Sequence, residues 1–277
     1  MDDKIKLLYN DNEYEFPIIK GSEDELAIDI KTLRQNTGLI TLDPGYKNTG
    51  SCISDITYLD GENGVLRYRG YDIADLANNS SFIEVSYLLI FGELPSKSKC
   101  EEFENDIKEE LLVHEDIKTI LKSFPTGAHP MGILASLTSA LISFNPGSVD
   151  VRSEEKMYRA IVQLMAKFSI LTAWVHRKHQ GLPLNYPDIS ISYVENLSKM
   201  MFMKPNKNYT NHDAITSALN KLLILHADHE QNCSTSTVRI VGSSEAGLFA
   251  SISAGISALW GRLHGGANQA VIEMLEL

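Results

Sequence analysis

Apolar and polar positions alternate at the start of the chain. Ile5, Leu7 and Tyr9 are separated by polar neighbours, Asn10-Asp11-Asn12 interrupts them, and Tyr14, Phe16 and Ile18 resume the alternation. A period of two broken by a turn predicts a small hairpin. The same texture returns after Asp43-Pro44-Gly45: Cys52, Ser54, Ile56 and Tyr58 alternate, Asp60-Gly61-Glu62-Asn63-Gly64 turns, and Val65-Leu66-Arg67-Tyr68-Arg69 runs back. Residues 1–70 are therefore expected to form a β-rich N-terminal segment.

Beyond residue 70 the apolar positions step by three and four, the period of a helix. Ser81 with Glu84, Ser98 with Glu101, and Ser192 with Glu195 have capping-box spacing, and Gly92 and Pro95 follow the first of these helices as terminators. The longest helix is expected to start near Ser153, with Glu154 and Glu155 in its first turn and one buried stripe of Met157, Ile161, Leu164, Phe168, Leu171 and Val175. Arg177, Lys178 and His179 then fall where the helix dipole favours cations, before Gly181 and Pro183. Ala246, Ala250, Ala254 and Ala258 form a small-residue ridge that suits close helix packing. No repeat or linker divides residues 71–277, so the fold class is mainly α, with one large helical domain. Residues 268–277 carry a helical pattern that stops without a cap, which predicts a helical domain incomplete at its C-terminus and a truncated chain.

Composition narrows the function classes. The 277 residues are 43% hydrophobic and 22% charged, as in a globular protein, and the net charge of -11 argues against a nucleic-acid surface. Cys52, Cys100 and Cys233 are odd in number and far apart, which predicts reduced thiols in a cytoplasmic protein. The first residues lack a signal-peptide pattern, and the apolar run from Ala246 to Gly261 is short and rich in Ser and Gly, so no export and no membrane partner are expected.

Candidate chemistry gathers late in the chain, in His226-Ala227-Asp228-His229-Glu230 and in Gly261-Arg262-Leu263-His264-Gly265-Gly266-Ala267-Asn268. After Asn211, Ile215, Leu219 and Leu222 step by four and three, and His226 and His229 continue the steps, so both rings are expected on the buried face of one helix. A buried imidazole is costly without hydrogen bonds, which predicts neutral or carboxylate-paired rings. Two hydrogen-bonded core histidines fit this pattern as a site does. Histidines at i and i+3 beside a carboxylate can also chelate a metal, although neither HExxH nor HxxEH is present. His264 precedes two glycines that permit close backbone approach and a helix whose free N–H groups suit an anion. A neutral imidazole there can donate to a developing enolate, while a purely structural helix start explains the glycines equally well. His129, in Ala128-His129-Pro130-Met131, reads as a turn residue before a helix, and Arg67 and Arg69 read as a solvated face or an ion pair. Neither GxGxxG nor GxxxxGK occurs, which argues against a nucleotide-binding loop.

Four stretches together resemble the citrate synthase family, in its bacterial type with an N-terminal β segment. They are Leu225 to Asn232, Leu259 to Asn268, Leu66-Arg67-Tyr68-Arg69-Gly70-Tyr71-Asp72-Ile73 and Ala128 to Met131, and the likeness runs over essentially the whole chain. The resemblance implies a citrate synthase-like large helical domain that condenses acetyl-CoA with oxaloacetate and hydrolyses the citryl thioester to citrate and CoA. Acetyl-CoA enters as substrate, and no cofactor or metal is implied. His264 is implied to be catalytic, hydrogen-bonding the thioester oxygen as the enol forms. His229 is implied to hold oxaloacetate, with Asn232, Gly265 and Gly266 also at the substrates and His226 and Asn268 in supporting positions. An aspartate base, a second histidine, carboxylate-binding arginines and a small domain are implied to lie beyond Leu277, so the chain alone is expected to lack significant turnover. A homodimer or a trimer of dimers is implied as well. The alternatives are 2-methylcitrate synthase, which uses propionyl-CoA, and a non-catalytic helical interaction module.

Overall fold

Asn10 and Asp11 both adopt left-handed backbone, with φ of 50° and 59°, the conformation a two-residue hairpin turn requires and that Asn and Asp tolerate. They join β1 (Lys4–Tyr9) to β2 (Asn12–Lys20), with Leu7 opposite Tyr14. β3 (Leu26–Ile28) pairs antiparallel with β2, and a short helix α1 (Leu33–Thr37) follows. Lys4–Glu15 and Lys6–Glu13 pair across the solvent face, while Phe16 is buried. The computed structural model describes residues 3–206, 213–266, 272 and 274. It divides into two compact units, Met1–Asp55 and Ile56–Leu277.

The second unit opens with a three-stranded antiparallel sheet of β4 (Thr57–Asp60), β5 (Val65–Tyr68) and β6 (Tyr71–Asp72). The hairpin that strand texture groups with the first 70 residues thus belongs to the helical unit. Ten α-helices with defined bounds follow among the described residues, with a 3-10 turn at Pro146–Val149 between the fifth and sixth of them. They are α2 (Ile73–Asn79), α3 (Phe82–Phe91), α4 (Lys97–Glu109), α5 (Asp116–Ser123), α6 (Pro130–Phe144), α7 (Glu154–His179), α8 (Tyr193–Phe202), α9 (Asp213–Leu225), α10 (Cys233–Gly242) and α11 (Leu248–Leu259). The mainly α fold stands as expected. No helix among the described residues is long and apolar enough to cross a membrane.

Local chemistry explains most helix ends. Ser81 and Glu84 form a reciprocal capping box, Ser153 and Ser192 cap α7 and α8, and Gly92 closes α3 in the left-handed conformation. The cap of α4 is Ser96 rather than Ser98: its hydroxyl accepts the Lys99 N–H and its carbonyl the Cys100 N–H, so the helix begins two residues earlier.

α7 is more enclosed than a single stripe predicts. Ala160, Val162, Ala166, Ile170, Ala173 and Trp174 are buried together with the expected Leu171 and Val175, whereas Met157, Ile161, Leu164 and Phe168 of the expected stripe are only half-buried. Arg177 is wholly buried rather than solvated at the helix end. Its Nε donates to the Pro183 carbonyl, and its Nη1 to those of Met201 and Met203 at 3.1 and 2.7 Å, closing the C-terminal end of α8.

α11 packs on both α6 and α10. Ser253 Oγ donates to the Ala135 carbonyl of α6 at 2.8 Å. At Gly255 a Cβ would stand 2.6 Å from Val238 Cγ2 of α10, and the first member of the alanine ridge, Ala246, precedes the helix.

Candidate functional site

The two histidines expected on a buried helical face lie outside the helix. α9 ends at Leu225, and His226 and His229 are exposed in the segment that leads to α10. The cause is Tyr68 on β5, whose ring is fully buried. In a continuing helix the Asp228 N–H would bond the Ile224 carbonyl. The Tyr68 hydroxyl instead accepts that N–H at 3.3 Å and faces the carbonyls of Ile224 and Asp228 at 3.2 and 3.0 Å as donor. A side chain inserted into the backbone ladder stops it. Burial pushes this phenol above its ordinary value, so it stays a neutral hydroxyl.

The rest of the segment is clamped by the same hairpin. Thr57 Oγ1 donates to the Asp228 carboxylate, which also accepts the Glu230 N–H at 3.0 Å. Glu230, at φ 56°, accepts the Leu59 N–H at 3.1 Å. Both acidic side chains that a metal site would recruit beside His226 and His229 are thus engaged on the sheet. Among the described residues no group of three His, Cys, Asp or Glu is placed to hold a metal ion. His226 stands apart, its Nδ1 2.8 Å from the Leu222 carbonyl.

The first turn of α10 links the remaining candidates. Asn232 is the N-cap: its Oδ1 accepts the Thr235 N–H at 2.9 Å, and its Nδ2 donates to the His229 carbonyl at 3.4 Å. One residue into the helix, Ser234 Oγ lies 2.9 Å from His264 Nε2, with both residues part-buried. His264 follows α11 in a turn whose hub is the Gly261 carbonyl, which accepts the N–H groups of His264 and Gly266 at 2.9 and 3.2 Å. Gly265 presses on the end of α11, where a Cβ would meet the Leu259 carbonyl oxygen at 2.5 Å.

Asn232 and Ser234 therefore tie His229 and His264 to one helical turn. Asn268, the remaining candidate, lies outside the described residues. Sequence reasoning missed Ser234 and the role of the β4–β5 hairpin. The signal for the hairpin lay in Tyr68, a buried aromatic with a hydroxyl that needs a partner. Chemically, Ser234 can set which nitrogen of His264 carries the proton. A hydroxyl donating to Nε2 leaves Nδ1–H as the free donor.

Comparison with known proteins shows what the chain is similar to. The family model described as "Citrate synthase, C-terminal domain" matches residues 45–277. The chain is 50% identical over 273 residues to the citrate synthase of Corynebacterium glutamicum, covering 99% of this chain and 62% of that protein. It is 46% identical over 275 residues to citrate synthase 1 of Mycobacterium tuberculosis, covering 99% and 64%. It thus spans less than two thirds of the length of these curated relatives. Among solved structures, citrate synthase from Pyrobaculum aerophilum matches with a TM-score of 0.75 and 29% identity over 92% of this chain and 60% of that one. The ternary complex of Thermoplasma acidophilum citrate synthase with carboxymethyl coenzyme A and oxaloacetate shares the fold, with a TM-score of 0.77 and 22% identity over 86% and 61%.

Proposed function

The chain belongs to the citrate synthase family, and from that premise we propose that it serves the condensation of acetyl-CoA with oxaloacetate and the hydrolysis of citryl-CoA to citrate and CoA. The observation that carries the assignment of His264 is its 2.9 Å contact with Ser234. With the serine hydroxyl donating to Nε2, Nδ1–H is aimed as a fixed donor for the thioester oxygen, where negative charge develops as the methyl proton leaves. His229 holds oxaloacetate, on a loop fixed by the Tyr68 and Thr57 clamp, and Asn232, Gly265 and Gly266 shape the same pocket. Removing the methyl proton also requires a positioned base, and none of the described residues is proposed for that role.

Free CoA release in the presence of oxaloacetate, measured on a protein of its relatives' full length that carries these residues, tests the reading. His264→Ala is expected to lower kcat by about 10²–10³, the loss typical of removing one oxyanion donor. An unchanged kcat in that variant would remove His264 from the mechanism. Propionyl-CoA run in parallel is expected to be the poorer substrate, by about 10–200-fold in kcat/KM for its one additional methylene. A polypeptide confined to these 277 residues is expected to lack significant turnover.

The cytoplasm is the compartment that suits a chain in which none of the three cysteines is paired in a disulfide. Assembly as a homodimer, or as a trimer of dimers, is supported by α9. Its apolar residues Ile215, Leu222 and Leu225 are 49%, 53% and 43% exposed, and Ala218 lies between them on the same face.

A further inference from the structure

His129 touches the residue at which the turn that carries His264 begins. Its ring stacks on Trp260, with centroids 4.9 Å apart and planes 25° from parallel. Trp260, itself about half exposed, also approaches α6: a Cβ at Gly132 would stand 3.4 Å from its ring. Trp260 closes the C-terminal end of α11 and is followed directly by Gly261, the hub of the His264 turn. Arg262 and Leu263 are exposed, Leu263 at 92%. The turn is therefore held at its start by the Trp260 ring, at its end by Gly265 against Leu259, and at the imidazole by Ser234.

His129 is itself fixed. It is the N-cap of α6, with Nδ1 accepting the Met131 N–H at 3.2 Å, and Pro130 occupies the first helical position behind it. The cap holds the imidazole plane in one orientation, so the stack transmits the position of the α6 N-terminus to the end of α11. We propose that His129 and Trp260 form a brace that positions His264, with His129 a positioning residue for enol stabilisation although it touches no reacting atom. The proposal rests on His264 being the thioester donor.

The brace separates cleanly from the cap. His129→Asn keeps a strong capping side chain and deletes the ring, Trp260→Leu deletes the other half of the stack, and Trp260→Phe retains an aromatic face. The readouts are the ¹⁵N imidazole signals of His264, which report its tautomer, and steady-state kinetics, with thermal melting as the folding control. In the native protein the His264 ring is expected as the single Nδ1-protonated tautomer. In His129→Asn and Trp260→Leu it is expected to average between tautomers while kcat falls about 10–100-fold, the scale of a misplacement near 1 Å. KM for oxaloacetate stays within about twofold, and Trp260→Phe recovers most of the loss. A native His264 signature in folded His129→Asn and Trp260→Leu overturns the brace whether or not the protein turns over. A native protein of its relatives' full length with the expected tautomer but no CoA release overturns the proposed function and leaves the brace standing.

Discussion

At Gly265 the constraint is space. A Cβ at this position would stand 2.5 Å from the Leu259 carbonyl oxygen and 3.0 Å from the Leu259 Cδ1, and a helical carbonyl cannot rotate aside as a side chain can. Gly265→Ala is expected to cost about 1–3 kcal/mol as overpacking and to displace His264, lowering CoA release more than about tenfold. Melting and the CoA assay check this against Gly127→Ala, where a Cβ would meet nothing within 4 Å and no change is expected. A Gly265→Ala protein with native melting and rate would show that the turn gives way without consequence. The need for glycine was legible beforehand, because Gly-Gly before a helix signals close approach, and His264 was legible through those neighbours. Ser234 was not. A serine in the first turn of a helix is commonplace, and its partner is 30 residues away across a helix crossing that no periodicity encodes.

Elements show where a local pattern loses to a tertiary contact. The steps through Ile215, Leu219, Leu222, His226 and His229 follow a helix only as far as Leu225, and Ile215 and Leu222 on the face they mark are exposed rather than buried. Nothing in those residues announces the stop, because it comes from Tyr68 far back on β5. The capping signals of Ser81, Ser153 and Ser192 act within one turn and were readable, whereas Ser96 and Ser98 compete within two residues and only the backbone bond from Cys100 to Ser96 decides between them. Tyr68→Phe isolates the tertiary stop. Without the hydroxyl, the Asp228 N–H and the Ile224 carbonyl are free to bond each other, lengthening α9 and pulling His229 out of its loop. The variant is expected to lose about 1–2 kcal/mol from the lost buried hydrogen bonds. Amide exchange at Asp228 is expected to change, and oxaloacetate binding to weaken. Unchanged exchange at Asp228 would mean that the hairpin does not end the helix.

On the scale of the whole molecule, strand texture grouped residues 57–68 with the first hairpin, while bonds from Thr57, Leu59 and Tyr68 to Asp228 and Glu230 assign them to the helical unit. The second difference is the face that α9 presents. Its apolar steps predict a buried stripe, but Ile215, Leu222 and Leu225 are about half exposed, and Leu219, Leu223 and Ile224 carry the packing. An apolar stripe at helical spacing left uncovered suits a second copy of the chain. In a two-fold interface each residue counts twice. Covering three half-exposed aliphatic side chains contributes roughly 1 kcal/mol each, so about 6 kcal/mol for the pair. Micromolar association needs about 8 kcal/mol, so the stripe alone is insufficient and is expected to form the centre of an interface of at least about 1,200 Å². Leu222→Glu places a carboxylate from each protomer at that centre, where neither is paired. Light scattering after size exclusion is expected to give twice the monomer mass for the native protein at about 10 μM, a concentration above the micromolar threshold. The variant should run as a monomer with unchanged helical circular dichroism, since its side chain faces outward. A native protein that stays monomeric at ten times that concentration, or a variant that stays dimeric, would assign the stripe to something other than self-association.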